Sequence, residues 1–176
     1  LTIEANIMLS KDITGRGGVI FSNYGSNGDI LSLEIYTNGN PRLYYTNEDG
    51  VEIGYTFDEC DVRSDKLVHM VMSFNEETNA VSVYLDGNLV QTITVTKDMI
   101  DTISQENFFI GGDVRTNNTQ YFKGSLLSFS VYSKAKSAEE ITNMFNNGID
   151  LTDESLLGYY EFKDVKTAIY LSDADV

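Results

Sequence analysis

The sequence predicts an all-β protein, an antiparallel β-sandwich with one short helix near its C-terminal end. Three observations carry that prediction. Apolar and polar residues alternate with period two through nearly every segment, which is the pattern of strands with one buried and one wet face. Clusters of glycine, asparagine and aspartate separate those segments at intervals of about eight to twelve residues. Helical periodicity is clear only once, at 137–147. Roughly a dozen short strands with so little helix fit a sandwich rather than a parallel α/β fold.

The first strand is Leu1 to Leu9, where Leu1, Ile3, Ile7 and Leu9, with Ala5 between them, form the apolar set. Because Leu1 already lies inside a strand, the chain is expected to be one domain, 1–176, cut from a longer multidomain protein. Gly17 to Tyr24 is the second strand, followed by the turn Gly25 to Gly28. In Ile30 to Tyr36, Leu31, Leu33 and Ile35 point one way and Ser32, Glu34 and Tyr36 the other. Asn38-Gly39-Asn40 reverses the chain with residues that tolerate positive φ. The returning strand, Arg42 to Thr46, sets Leu43 and Tyr45 against Arg42 and Tyr44.

A further turn, Asn47 to Gly50, leads into Val51, Ile53, Tyr55 and Phe57. Lys66 to Phe74 is more continuously apolar and belongs deep in a sheet. Val81, Val83 and Leu85 then alternate with Ser82, Tyr84 and Asp86, and Asp86-Gly87-Asn88 is the strongest hairpin signal in the chain. Strand Leu89 to Val95 follows. The stretch Asn107 to Tyr132 reads as a strand, a polar loop and a long returning strand. Along that return Leu126, Phe129 and Val131 are the core-facing set, an odd spacing that requires a bulge near Leu127-Ser128.

In the helix, Ser137 and Glu140 form a capping box, Ile141, Met144 and Phe145 one apolar stripe, and Gly148 the stop. A short helix of this kind is expected to dock on a sheet edge. Leu156 to Phe162 resumes strand character, and Lys166 to Leu171 is a further candidate strand.

A net charge of -15 opposes nucleic acid and anionic membrane surfaces, both of which would repel the protein at long range. No apolar run approaches the ~20 residues that a spanning helix needs. The single cysteine, Cys60, permits neither an internal disulfide nor a multi-cysteine metal cluster and reads as a small, buried or half-buried apolar residue.

Three stretches resemble the laminin-G-like branch of the concanavalin A-like lectin and glucanase superfamily. Leu1 to Leu9 is similar to the family's opening T-I-E-A-W strand. Lys66 to Thr92 is similar to its W-x-H-V segment and Y-x-D-G hairpin. Phe109 to Ile141 is similar to its I-G-G-D, F-x-G and V-Y-x-x-A-x-S-x-E-E-I signature, and Tyr159, Tyr160 and Phe162 to its closing aromatic strand. The resemblance implies a jelly-roll sandwich from an extracellular or cell-surface protein, expected to be bacterial. The chain departs from the family at Asn6 and Leu67, where tryptophan is usual, and at Lys136, where leucine is usual; Asn6 therefore needs a polar partner.

The superfamily's glucanases use an E-x-D-x-x-E strand to set two carboxylates on one face. Here Glu59 and Asp61 have the first spacing but Ser64 holds the third position, so the domain is not expected to be an enzyme. His69, in a buried strand without an obvious nucleophile, reads as a structural hydrogen-bonding residue. Calcium is a possible cofactor by resemblance, with Asp29 as one metal ligand and the second from the loop after Ile110, either Asp113 or Asn117 and Asn118, although aspartate beside glycine also simply forms turns.

Sugar recognition needs aromatic surfaces together with charged or amide hydrogen-bonding groups. Glu34, Tyr36, Arg42 and Tyr44 share the face opposite their hairpin's core residues, and Arg115, Asn117, Asn118 and Tyr121 share a loop. Tyrosines and charges also decorate ordinary solvated sheets. The reading is a non-catalytic module whose partner is a carbohydrate or glycoprotein. The alternative is a protein-binding or spacer module that positions a neighbouring domain of the same chain and has no sugar site. Neither reading involves nucleic acid or membrane insertion.

Overall fold

The computed structural model describes residues 1–24, 30–47, 49–95, 108–113 and 120–162. Among these, eleven strands form two sheets, and every hydrogen-bonded neighbour pair is antiparallel. The six-stranded sheet runs β11 (Leu156–Glu161), β10 (Ser125–Tyr132), β1 (Thr2–Met8), β6 (Leu67–Asn75), β7 (Ala80–Leu85), β8 (Asn88–Thr94). The five-stranded sheet runs β5 (Glu52–Thr56), β4 (Pro41–Thr46), β3 (Ile30–Ile35), β2 (Gly18–Tyr24), β9 (Phe108–Ile110).

Alternation places the core between the sheets. Ile3, Ala5 and Ile7 of β1, Met70, Met72 and Phe74 of β6 and Phe129 of β10 meet Phe21, Leu31, Leu33, Ile35 and Leu43 from the other sheet, all buried. Each fully buried large side chain contributes roughly 1.5–3 kcal/mol relative to exposure. Cys60 belongs to the same core. The expected bulge is present: Asn6 pairs with Ser128 and Ile7 with Leu126, which leaves Leu127 unpaired between them. Its effect is to bring Leu126 and Phe129 both onto the core side.

The single helix among the described residues, α1 (Ala138–Asn147), begins with the expected capping box. Ser137 Oγ accepts from the Glu140 N–H at 3.2 Å, and the Ser137 N–H donates to Glu140 Oε2 at 2.8 Å. Its position corrects the sequence expectation, because it lies on the outer face of the six-stranded sheet and not on an edge. Ile141 packs on Val71 and Tyr84, apolar residues on the outward side of β6 and β7, and Thr142 Oγ1 donates to the Gly87 carbonyl at 3.0 Å. This cover explains the continuously apolar β6, which is buried on both faces. Phe145, expected in the buried stripe, is instead exposed at the helix margin, with its ring 5.7 Å from that of His69.

The positions that depart from the family find local solutions. Asn6 Nδ2 donates to Glu4 Oε1 at 2.8 Å and to Ser128 Oγ at 2.9 Å. Leu67 is exposed, so no buried space is left there for a missing tryptophan. Lys136 is buried with its ammonium over the Tyr132 ring and paired with Asp153 and Glu140, which removes the cost of an unpartnered charge. His69 is buried, but the expected hydrogen bonding by its ring is not formed. Nε2 lies 3.4 Å from Glu4 Oε1 without forming a hydrogen bond, and the residue bonds through its backbone, its N–H donating to Asp86 Oδ1 at 2.9 Å and its carbonyl accepting from the Asp86 N–H at 2.8 Å. The candidate strand Lys166 to Leu171 lies outside the described residues. No described helix is long and apolar enough to cross a membrane.

Candidate functional site

On the five-stranded sheet no described helix covers the side chains that alternate away from the core, and there the predicted hairpin residues converge. Glu34 and Arg42 are directly opposite in the β3–β4 register, as are Ser32 and Tyr44. Arg42 Nη1 donates to Glu34 Oε1 at 3.1 Å, and the Arg42 guanidinium carbon lies 4.5 Å from the Tyr36 ring centre and 5.1 Å from that of Tyr44. The guanidinium is therefore held between two tyrosines and anchored by a carboxylate. Each such cation–π contact is worth roughly 0.5–1 kcal/mol at a partly exposed site. The Tyr44 hydroxyl in turn donates to Glu52 on β5.

Placement of Glu34 differs from that of an open platform residue. It is only 2% exposed, lying beneath the arginines as their anchor, while Tyr36, Arg42 and Tyr44 are half-buried around it. Gly54 leaves the room for this packing: a Cβ there would fall 1.9 Å from Arg42 Nη2.

A second guanidinium, from Arg16, completes the cluster. Its Nη1 lies 3.8 Å from Glu34 Oε2 and donates to Gln120 Oε1 at 3.0 Å, and its guanidinium carbon is 5.0 Å from the Tyr36 ring centre. Two backbone contacts put it there. Gly17 N–H donates to the Ile35 carbonyl at 3.0 Å, and the chain around Tyr121 runs parallel to the start of β2, bridging to Val19. Gly18, with φ of 95°, permits that approach, since a Cβ would sit 2.0 Å from the Tyr121 carbonyl oxygen. Arg16 and Gln120 escaped the sequence reading because both lie in irregular segments, where period-two alternation carries no information.

Of the second predicted group, Tyr121 is exposed beside β2, and Arg115, Asn117 and Asn118 lie outside the described residues. Asp29 also lies outside them, and Asp113 is fully buried just beyond β9. Among the described residues no three histidine, cysteine, aspartate or glutamate side chains converge. Glu59 and Asp61 sit in a turn where Asp61 is bound by Arg63, whose side chain donates at 2.9 and 2.6 Å and holds the carboxyl below its usual range. Glu34 itself is countered by the guanidiniums of Arg16 and Arg42.

The family model matching residues 1–142 is a laminin-G model described as the concanavalin A-like lectin/glucanases superfamily. The chain belongs to that superfamily. Its laminin-G-like sandwich is similar to several solved structures at low identity. A Bacteroides ovatus protein superposes with a TM-score of 0.70 at 18% identity, covering 91% of this chain and 44% of that one. The chain thus spans less than half the length of that protein. The CBM40 of the Ruminococcus gnavus IT-sialidase, solved with α2,3-sialyllactose, gives 0.65 at 18% identity over 82% of this chain and 81% of that one. Domain 4 of the extracellular arabinanase AbnA from Geobacillus stearothermophilus, solved with arabinotriose, gives 0.61 at 18% identity over 81% of this chain and 65% of that one. A search of curated proteins gave no match.

Proposed function

We propose that this laminin-G-like domain is a non-catalytic carbohydrate- or glycoconjugate-recognition module of an extracellular or cell-surface protein, and that it binds through the outer face of the five-stranded sheet. The observation that carries the reading is the preassembled cluster of Arg16, Tyr36, Arg42 and Tyr44 around the buried Glu34. Ordered guanidiniums and tyrosines combine apolar ring surface with directional donors, which is what a sugar offers partners for. Their mutual stacking means that little side-chain entropy remains to be lost on binding. The CBM40 and arabinanase neighbours, solved with an acidic and a neutral sugar respectively, support a carbohydrate ligand without choosing its charge.

A glycan array tests the proposal. Binding by the wild type that falls at least tenfold in Arg42→Ala and Tyr44→Ala is the expected result, and silence across the array would favour a protein-binding or spacer module instead. The calcium proposal, through Asp29 and Asp113, is tested separately by calorimetric titration of metal-stripped protein. Heat of binding at or below millimolar calcium that is lost in Asp29→Asn is expected, and no heat would remove the ion from the account.

A further inference from the structure

We infer that the sugar this face selects carries an oxyanion, a carboxylate in the first instance, and that Arg16 is the residue that reads it. The inference rests on the carbohydrate reading above and adds the ligand's charge. Two guanidiniums share the one buried carboxylate of Glu34, and the cluster's other carboxylate, Glu52, lies on the edge strand β5 and bonds to Tyr44, so the positive end of the patch is at Arg16.

The arginines are not equivalent. Arg42 is 17% exposed, wedged between Tyr36 and Tyr44 over Gly54, and bonded to Glu34 at 3.1 Å. Arg16 is 37% exposed and sits 3.8 Å from the same carboxylate. Its single hydrogen bond among the described residues uses Nη1, so the Nε and Nη2 donors are unspent. Nε and Nη2 form one fork of a guanidinium, the pair that meets the two oxygens of a carboxylate in parallel. Gln120 fixes the other side of the group and so sets the direction in which that fork opens. Arg42 is thus a positioning residue for the cluster, and Arg16 the specificity-determining one. A sulfate ester presents a similar pair of oxygens, so the two sources of oxyanion need separate arms in the test.

The experiment measures binding of the whole chain to matched oligosaccharides: uronic- or sialic-acid-terminated forms, the same glycans with the carboxyl reduced to the alcohol, and neutral forms bearing a sulfate ester. The wild type is expected to bind an acidic form at least tenfold more tightly than its reduced counterpart. Arg16→Gln should abolish that preference, and Arg16→Lys, which keeps the charge but not the fork, should retain only part of it. Arg16 lies in a loop, so both variants should melt within a few degrees of the wild type. A preference for the sulfated arm that is lost in Arg16→Gln would assign the oxyanion to a sulfate. Equal binding of acidic and reduced forms, or an acid preference that survives Arg16→Gln, overturns the inference while leaving the carbohydrate reading in place. Absence of binding to any glycan overturns both.

Discussion

The two outer faces of the sandwich each bury a glutamate, and their surroundings differ. Glu34, on the five-stranded sheet, is countered by two arginines stacked on tyrosines, with no described helix above them. Glu4, on the six-stranded sheet, accepts from Asn6 Nδ2 at 2.8 Å and Ser130 Oγ at 2.7 Å, and its sheet face is roofed by α1 and by the Lys136 segment. Neutral donors satisfy one carboxylate and full charges the other. Neutral partners suit a closed layer, where a surplus charge would be costly, whereas charged partners suit a face that water and ligands can reach. On the proposed reading the roofed face is scaffold and the open face carries recognition.

Four measurements would break or sharpen that contrast. The largest effect should come from removing the roof: Ile141→Ala is expected to cost about 2–4 kcal/mol in denaturant unfolding, while the folded fraction keeps its glycan affinity. A loss of binding in that variant at full occupancy of the native state would mean that the faces are coupled. Next, Gly54→Ala places a methyl where the Arg42 guanidinium lies and should reduce glycan binding about tenfold, equivalent to ~1.4 kcal/mol, with a smaller effect on stability. Unchanged affinity there would sink the role given to the Arg42 cluster.

The third measurement is acid unfolding. Burial works against ionisation of Glu140, but the Lys134 ammonium at 2.7 Å and the Ser137 N–H outweigh it and hold the carboxyl at about 2, below its ordinary 4.5. The Lys136 ammonium likewise lowers Asp153. A depressed carboxyl contributes stability that is present above its unfolded value and lost as pH falls through the folded one. Melting temperature should therefore drop between about pH 4.5 and 2, and Glu140→Gln should flatten that drop while leaving the binding face unaffected. The smallest effect belongs to Leu67→Ala. Although the family favours tryptophan there, the side chain is exposed and the change should stay within about 0.5 kcal/mol in the same unfolding assay.

Much of the scaffold was legible because local sequence patterns determined it. Alternation identified the core residues of β1 and β3, the Asp86-Gly87 turn joined β7 to β8, and the odd spacing of Leu126 and Phe129 required the bulge at Leu127. The capping box placed the start of α1 correctly. The seat of α1 was not legible, since its stripe shows that the helix packs but not against what. Only the pairing of β6 with β7 brings Val71 and Tyr84 together beneath Ile141.

The candidate site divides in the same way. Residue spacing alone put Glu34, Tyr36, Arg42 and Tyr44 on one face, because a strand's side chains alternate and an antiparallel hairpin aligns them. Nothing local could reveal that Glu34 is buried, that Arg42 stacks between the tyrosines, or that Arg16 and Gln120 join them from segments 104 residues apart. Those facts depend on which irregular loops the sheet brings alongside it, and on a glycine at position 18 that lets one backbone lie against another. The sequence by itself determined the sandwich and the face; tertiary structure decided which charges meet on it, because a guanidinium's partners are set by distance in space and not along the chain.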